Sequence, residues 1–286
     1  MRYVVGVDTR ERSRGAVEFA GWLERRASGR SPAEFIAVQV LDQRVRVSVR
    51  DDLADEAIAT AERGLALALQ GADAVEQFAA TRVVQAERPE IGLADAFASD
   101  HADALLVGRI APSTGAVVPR LGQVARRVVR GLGHPVIVVP PDLTQGWIDS
   151  RAVVAATDLR DDAVAAVRFA GRLAAETGLE LVVVHVAPAT SVPFDSQQAV
   201  LRPRDEAPPP AEVERWMDLH GLAPARARVV QGDVAAALVD VARHEHAALV
   251  VVGSRRLSRV EHLFTSSVGT DLARSCDRAV AIVPGP

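Results

Sequence analysis

Three clusters of side chains have the chemical means to act. His244-Glu245-His246 brings together imidazole and carboxylate groups of the kind that ligate a metal. Ser254, Ser266 and Ser267 are hydroxyls that an adjacent base could turn into nucleophiles. Arg120, Arg126, Arg127 and Arg130 form a basic group suited to phosphate or to an acidic partner. Each meets a plainer explanation. The two histidines stand at i and i+2 at the end of a helical stretch, so their rings leave on different faces and do not readily chelate one ion. Solvent-facing polar residues are expected there, and no metal site. No nucleophile-elbow motif surrounds the serines, and no catalytic residue is assigned. The arginines fall on one predicted helix and read as a solvated face, with a phosphate or acidic-partner contact as the sharper alternative. Cys276 reads as a half-buried structural thiol. Trp22, Trp147 and Trp216 read as packing residues.

Composition narrows the chemistry further. All 33 basic residues are Arg. Without lysine, the phosphate-binding P-loop and Schiff-base catalysis are excluded. A net charge of −4 and a pI near 6.0 give no general attraction to nucleic acid or to an anionic membrane. A single cysteine excludes an internal disulfide framework and suits a reducing cytosol. The apolar run at the N-terminus is too short for a signal peptide, and no stretch has the length of a membrane helix. A soluble, cytoplasmic protein is expected.

The elements that must position any site come in duplicate. At 286 residues, two domains are expected rather than one. Residues 3–23 (YVVGVDTRERSRGAVEFAGWL) match 153–173 (VVAATDLRDDAVAAVRFAGRL) at a constant offset of 150. Asp8 falls on Asp158, Arg10 on Arg160 and Phe19 on Phe169. Later, ALLVG at 104–108 matches LVVVG at 249–253, offset 145, and PVIVVP at 135–140 matches AVAIVP at 279–284, offset 144. The first copy therefore carries one extra residue after Gly108.

In each copy, short apolar β-branched runs alternate with stretches of helical period. Five strands and four helices per copy are predicted. The strands lie near 3–8, 34–40, 80–85, 104–108 and 135–140, then near 152–157, 180–186, 226–231, 248–252 and 279–283. Such alternation implies right-handed crossovers and a parallel sheet covered on both faces. The expected boundaries are a first domain at 1–141, a linker at 142–150 and a second domain at 151–286. A proline-rich stretch at 187–211 is expected to be a mobile surface loop.

Taken in order, and twice over, these features resemble the universal stress protein family. The first strand ends in Asp (Asp8, Asp158). The second ends in a Val-x-Val element (Val38-Gln39-Val40, Val184-His185-Val186). The fourth ends in Gly (Gly108, Gly253). The resemblance implies two tandem doubly wound, Rossmann-like parallel five-stranded sheets of order 3-2-1-4-5, each covered by helices on both faces. Ligands of such sheets bind where the strand order reverses. The resemblance also implies a structural role for His185. Nucleotide-binding members carry G-x2-G-x9-G-[ST] between the fourth strand and the last helix.

The second copy reads Gly253-Ser254-Arg255-Arg256, nine residues, then Ser266-Ser267-Val268. The spacing fits, with Arg256 and Ser266 in place of two glycines. Arg256 either costs about 1 kcal/mol if its position needs positive φ, or offers a guanidinium to phosphate. Ser266 can present its N–H at a helix start. The first copy reads Gly108-Arg109-Ile110-Ala111, ten residues, then Gly122-Gln123, so it lacks the second glycine and the hydroxyl. The resemblance thus implies an adenine nucleotide, ATP or AMP, in the second copy more than the first. Asp158 and Val186 would hold base and ribose, and Gly253, Arg256, Ser266, Ser267 and Val268 the phosphates. Asp8, Val40, Gly108 and Gly122 are the first copy's counterparts. Nucleotide would then order the loop between 253 and 266 and alter the surface met by a regulatory protein partner. The fused copies would form an intrachain pseudo-dimer through their last strands, with homodimerisation as a further option. Two rivals stand beside this: a non-nucleotide-binding scaffold, favoured by the replaced glycines, and a weak ATP hydrolase, disfavoured by the missing lysine and the lack of a paired acid and base.

Overall fold

The computed structural model describes residues 1–8, 13–43, 52–110, 121–131, 133–141, 149–187, 208–254 and 268–285. The first copy runs β1 (Arg2–Gly6), α1 (Arg14–Ala27), β2 (Glu34–Asp42), α2 (Asp52–Gly71), β3 (Ala80–Ala86), α3 (Pro89–Ser99), β4 (Ala104–Gly108), α4 (Gln123–Gly131) and β5 (Val136–Val139). The second runs β6 (Ala152–Thr157), α5 (Val164–Thr177), β7 (Glu180–Ala187), α6 (Pro210–Leu219), β8 (Arg226–Gln231), α7 (Val234–His244), β9 (Ala247–Ser254), α8 (Val268–Ser275) and β10 (Ala279–Pro284). The central strands are unbroken apolar runs because both sheet faces are covered, as β4 (ALLVG) and β9 (AALVVVGS) show. Helix α6 begins inside the proline-rich stretch, with Pro209 at the N-cap and Pro210 at the first helical position, where the missing N–H costs nothing. Residues 188–207 of that stretch, and 142–148 of the expected linker, lie outside the described residues.

The strands form one ten-stranded sheet of order β3-β2-β1-β4-β5-β10-β9-β6-β7-β8. Each copy has the order 3-2-1-4-5, and the two five-stranded sheets join edge to edge. The seam is the antiparallel pair β5–β10, with Val138 opposite Val280, Ile137 opposite Ala281 and Val136 opposite Ile282. At the repeat offset, Ala281 is the counterpart of Ile137, so each cross-pair maps onto another when the copies are exchanged. That is the register of an isologous, two-fold interface. Joining the sheets leaves β3 and β8 as the outer edges and covers the other two.

One face of the sheet packs Phe19, Phe35, Leu65, Phe169 and Trp216, and the other packs Leu93, Phe97, Val128, Leu238 and Leu272. Both clusters run through both copies, so the apolar core belongs to a face rather than to a copy. Cross-copy polar contacts reinforce it. The Tyr3 hydroxyl, fully buried and stacked on Phe35, donates to Glu176 Oε2 at 3.1 Å. The Met1 amine pairs with the same carboxylate, and Arg172 meets Asp103 at 3.1 Å. Gly15 opens α1 against the end of β5, where a β-carbon would lie 2.0 Å from the Pro140 carbonyl oxygen. Only glycine fits there.

Candidate functional site: the two switch-point crevices

Strand β1 pairs in parallel with both β2 and β4, so the chain's direction of travel through the sheet reverses between β1 and β4. The second copy repeats this at β6, between β7 and β9. A crevice opens at the carboxyl ends of such neighbouring strands because their crossovers leave in opposite directions.

In the second copy the register gathers the expected residues. Thr157 lies opposite His185, so Asp158 and Val186 follow one residue on, side by side, at the ends of β6 and β7. Gly253 is two residues past Val251, the partner of Ala155. Val268 opens α8, and Gly269 beneath it lets the helix approach Val252 and Ile282 closely. The Asp158 side chain is 42% exposed, with its Oδ2 4.0 Å from Arg160 Nε. Its Oδ1 accepts the Arg160 N–H at 3.2 Å, an Asx turn, while Thr157 Oγ1 accepts the N–H of Leu159 at 2.9 Å. His185 Nδ1 donates to the Thr157 carbonyl at 3.0 Å and ties β7 to the same strand end. Arg256, Ser266 and Ser267 lie outside the described residues.

The first copy places Asp8, Val40 and Gly108 at the equivalent strand ends and Gly122 just before α4, but its environment differs. Ser13, whose counterpart is Ala163, folds over Asp8. Its Oγ donates to the Asp8 carbonyl at 2.6 Å and accepts the Asp8 N–H at 3.2 Å. Gly122 caps α4 with φ +42, a conformation that favours glycine. Against it lies the Ile110 side chain, 3.0 Å from where a β-carbon would stand. Arg109, only 6% exposed, reaches into the other copy, where its Nη1 donates to the carbonyls of Arg274 at 2.6 Å and Ala273 at 3.4 Å. These are orphan carbonyls in the last turn of α8. The first residue of the first copy's loop thus caps the helix whose other end faces the second crevice.

Ser13 and Arg109 were missed in the sequence. The repeat held a faint signal for both, since Ser13 carries a hydroxyl where its counterpart is Ala163 and Arg109 a charge where its counterpart is Ser254. A third residue was also missed: His220, at the end of α6. Its Nε2 lies 3.1 Å from Asp161 Oδ1, beside the second crevice, and its Nδ1 lies 2.8 Å from the Trp216 carbonyl. A neutral imidazole can donate from only one nitrogen, whereas the imidazolium satisfies both acceptors. The Trp216 carbonyl first, then Asp161, therefore raise the His220 pKa above its ordinary value.

The remaining chemical candidates resolve as structure. His244 and His246 are exposed, as expected, but Glu245 is not solvent-facing: its side chain is 9% exposed and pairs with Arg226 and Arg228 of edge strand β8. Hydrogen bonding from Arg226 is the main cause that lowers the Glu245 pKa. Among the described residues no group of three or more His, Cys, Asp and Glu is placed to hold a metal. Cys276 is fully rather than half buried, and burial pushes its thiol up to about 11. Trp22 stacks on Phe19 and Trp216 packs in the core, while Trp147 and Arg120 lie outside the described residues. No helix among the described residues is long and apolar enough to cross a membrane.

Fold and crevices together define a tandem, doubly wound α/β protein in which each copy reverses its strand order once. The universal stress protein family model matches the chain twice, at residues 1–140 and 150–284. The chain belongs to the universal stress protein family. Among curated proteins none matches it. A universal stress protein from Archaeoglobus fulgidus DSM 4304 is similar over 99% of this chain and 98% of its own, with 18% identity and a TM-score of 0.71. A functionally unknown protein from Pseudomonas aeruginosa PAO1 is similar over 99% and 92%, at 11% identity and a TM-score of 0.63. A universal stress protein solved in complex with cAMP aligns with 48% of this chain and 98% of its own, at 27% identity and a TM-score of 0.38.

Proposed function

We propose that this protein is a cytoplasmic stress-response regulator that binds an adenine nucleotide, ATP or AMP, in the crevice of its second copy. The observation that carries the reading is the register that sets Asp158, Val186 and Gly253 side by side at the reversal of strand order, with α8 starting at Val268. An exposed carboxylate can accept hydrogen bonds from ribose hydroxyls or from the adenine amino group. Gly253 lets backbone N–H groups approach a phosphate, and the start of α8 adds donors and positive potential. In this reading Arg256, Ser266 and Ser267 hold the phosphates, and a regulatory protein reads the occupied surface.

A specific observation favours a different role for the first copy. With Ile110 against Gly122 and Arg109 committed to α8, its crevice serves as a structural brace for the second. Asp8, Val40, Gly108 and Gly122 then maintain the fold rather than bind a nucleotide.

The test is to denature the purified protein and assay released adenine nucleotide by absorbance and mass. Released ATP or AMP supports the reading. ATP-dependent stabilisation should follow in a thermal-shift assay, large in the wild type and small in Asp158→Ala. Equal shifts in the two proteins remove Asp158 from the site. No released nucleotide, and no shift at millimolar ATP, leaves the scaffold reading.

A further inference from the structure

Arg126, Arg127 and Arg130 of α4 are exposed, as a solvated face requires, and they also border a cleft. Arg126, Arg127, Arg130 and Gly131 form one wall of a cleft of about 510 Å³, and Arg88 and Glu90, where α3 begins, form the other. Four guanidiniums face one carboxylate in a chain of net charge −4. Glu90 Oε1 accepts from Arg127 across the two helices at 3.3 Å and forms an ion pair at 3.6 Å with Arg88, the N-cap of its own helix. Its Oε2 is buried without a hydrogen-bond partner. Among the described residues no carboxylate pairs with Arg126 or Arg130. None of Asp8, Val40, Gly108 and Gly122 lines the cleft.

The second copy supplies an internal control. At the offsets that superpose the repeats there, the positions of Arg126 and Arg127 are taken by Thr270 and Asp271. Those of Arg88 and Glu90 are taken by Asp233 and Ala235, and only Arg130 keeps its charge, as Arg274. The same helices pack without the basic residues, so packing does not demand them. Like charges crowded on one short helix oppose folding, and an added anion would relieve them.

We propose that this cleft is a binding site for a small molecule carrying two or more phosphate groups. Guanidiniums match phosphate oxygens in geometry as well as charge. The cleft, about 510 Å³ and open to solvent, has room for more than a single phosphate. Arg126 and Arg130, one turn apart on α4, provide the uncommitted donors, and the Glu90 clamp pre-orients Arg127 and Arg88 at the rim.

The experiment uses the full chain with inorganic pyrophosphate as probe, titrated by calorimetry at low and at physiological salt. Saturable binding that weakens with salt is expected. The variant R126T/R127D, which copies the second copy's own residues, should lose one site's worth of binding or at least tenfold in affinity. E90Q keeps an oxygen that Arg127 can donate to while removing the negative charge that opposes an anion, and it should bind at least threefold more tightly. A circular-dichroism melt of each variant establishes that it folds. Absence of saturable binding, or affinity and stoichiometry unchanged in R126T/R127D, overturns the proposal. Pyrophosphate held at the phosphate end of the second crevice would survive R126T/R127D, so only the portion lost in that variant is assigned to the cleft.

Discussion

Replacing Arg109 with alanine should destabilise the whole chain, and its magnitude follows from what the guanidinium touches. The side chain crosses between copies and, at 6% exposure, works where water is scarce. It donates to two carbonyls of the last turn of α8, one at 2.6 Å and one at a longer 3.4 Å. A charged hydrogen bond of this kind contributes about 1.5–3 kcal/mol, and a cation at a partly buried helix C-terminus adds up to ~2 kcal/mol. Only the shorter contact has good length, and the two effects overlap, so about 2–4 kcal/mol is expected for Arg109→Ala. For a chain this size that corresponds to a melting temperature lower by roughly 4–10 °C. Arg109→Met retains much of the apolar stem and separates packing from charge; it should lose most of the same amount. Arg109→Lys keeps the charge without the fork and should fall between. Thermal melts by circular dichroism read all three. If alanine and methionine variants both melt within 1 °C of wild type, Arg109 does not cap α8 and the bracing role assigned to the first copy fails with it.

Other outcomes are as specific. Gly15→Ala should cost about 3 kcal/mol or more through overpacking against the Pro140 carbonyl, although alanine is the better helix former by ~1 kcal/mol; Gly71→Ala, with no atom within 4 Å of the new methyl, should be neutral or stabilising in the same denaturation assay. Tyr3→Phe removes a donor from buried Glu176 and should cost about 1–2 kcal/mol, measured as a lower urea midpoint without a change in slope. His220 has a raised folded pKa, so its contact with Asp161, moderated by nearby Arg168, adds stability that is complete below the unfolded pKa and is lost as pH rises through the folded one. The difference in melting temperature between wild type and His220→Gln should therefore be larger at pH 5.5 than at pH 8.5, and a pH-independent difference would show that the imidazolium contact is not formed.

The fold was legible because its strands are buried on both faces. An element such as Ala104–Gly108 has no polar residue to blur its limits, and its repeat at Leu249–Gly253 confirms it. Helix limits were less sharp wherever tertiary contacts decide them, as at Pro210, where three prolines read as irregular chain but two of them cap a helix. Asp158, Val186 and Gly253 could be placed together because parallel register converts sequence position into height in the sheet. Arg109, Ser13 and His220 could not, for a different reason. Their partners lie 165, 5 and 59 residues away and are reached by side-chain direction, not by periodicity.

Duplication explains which of these differences carry meaning. Two copies of one unit face the same packing demands on the same sheet, so a residue required by the fold should recur at its counterpart. Phe19 and Phe169 recur, and so do Asp8 and Asp158. Where the copies part, the fold leaves the choice open and another demand has made it. At the seam, Ile137 meets Ala281, its own counterpart, so an exchangeable interface now joins two sequences free to diverge. The first copy has used that freedom on Ser13 over Asp8, Arg109 across the seam and four arginines around a cleft; the second has kept an exposed Asp158 and the spacing from Gly253 to Ser267. The proposed division of labour, a bracing, anion-binding copy beside a nucleotide-binding one, rests on that pattern. It predicts that transplanting Arg109 onto Ser254 gains no stability, because the second copy's loop has no reason to reach the end of α4. A melting temperature raised by Ser254→Arg would mean that the two loops are still equivalent and the asymmetry carries no function.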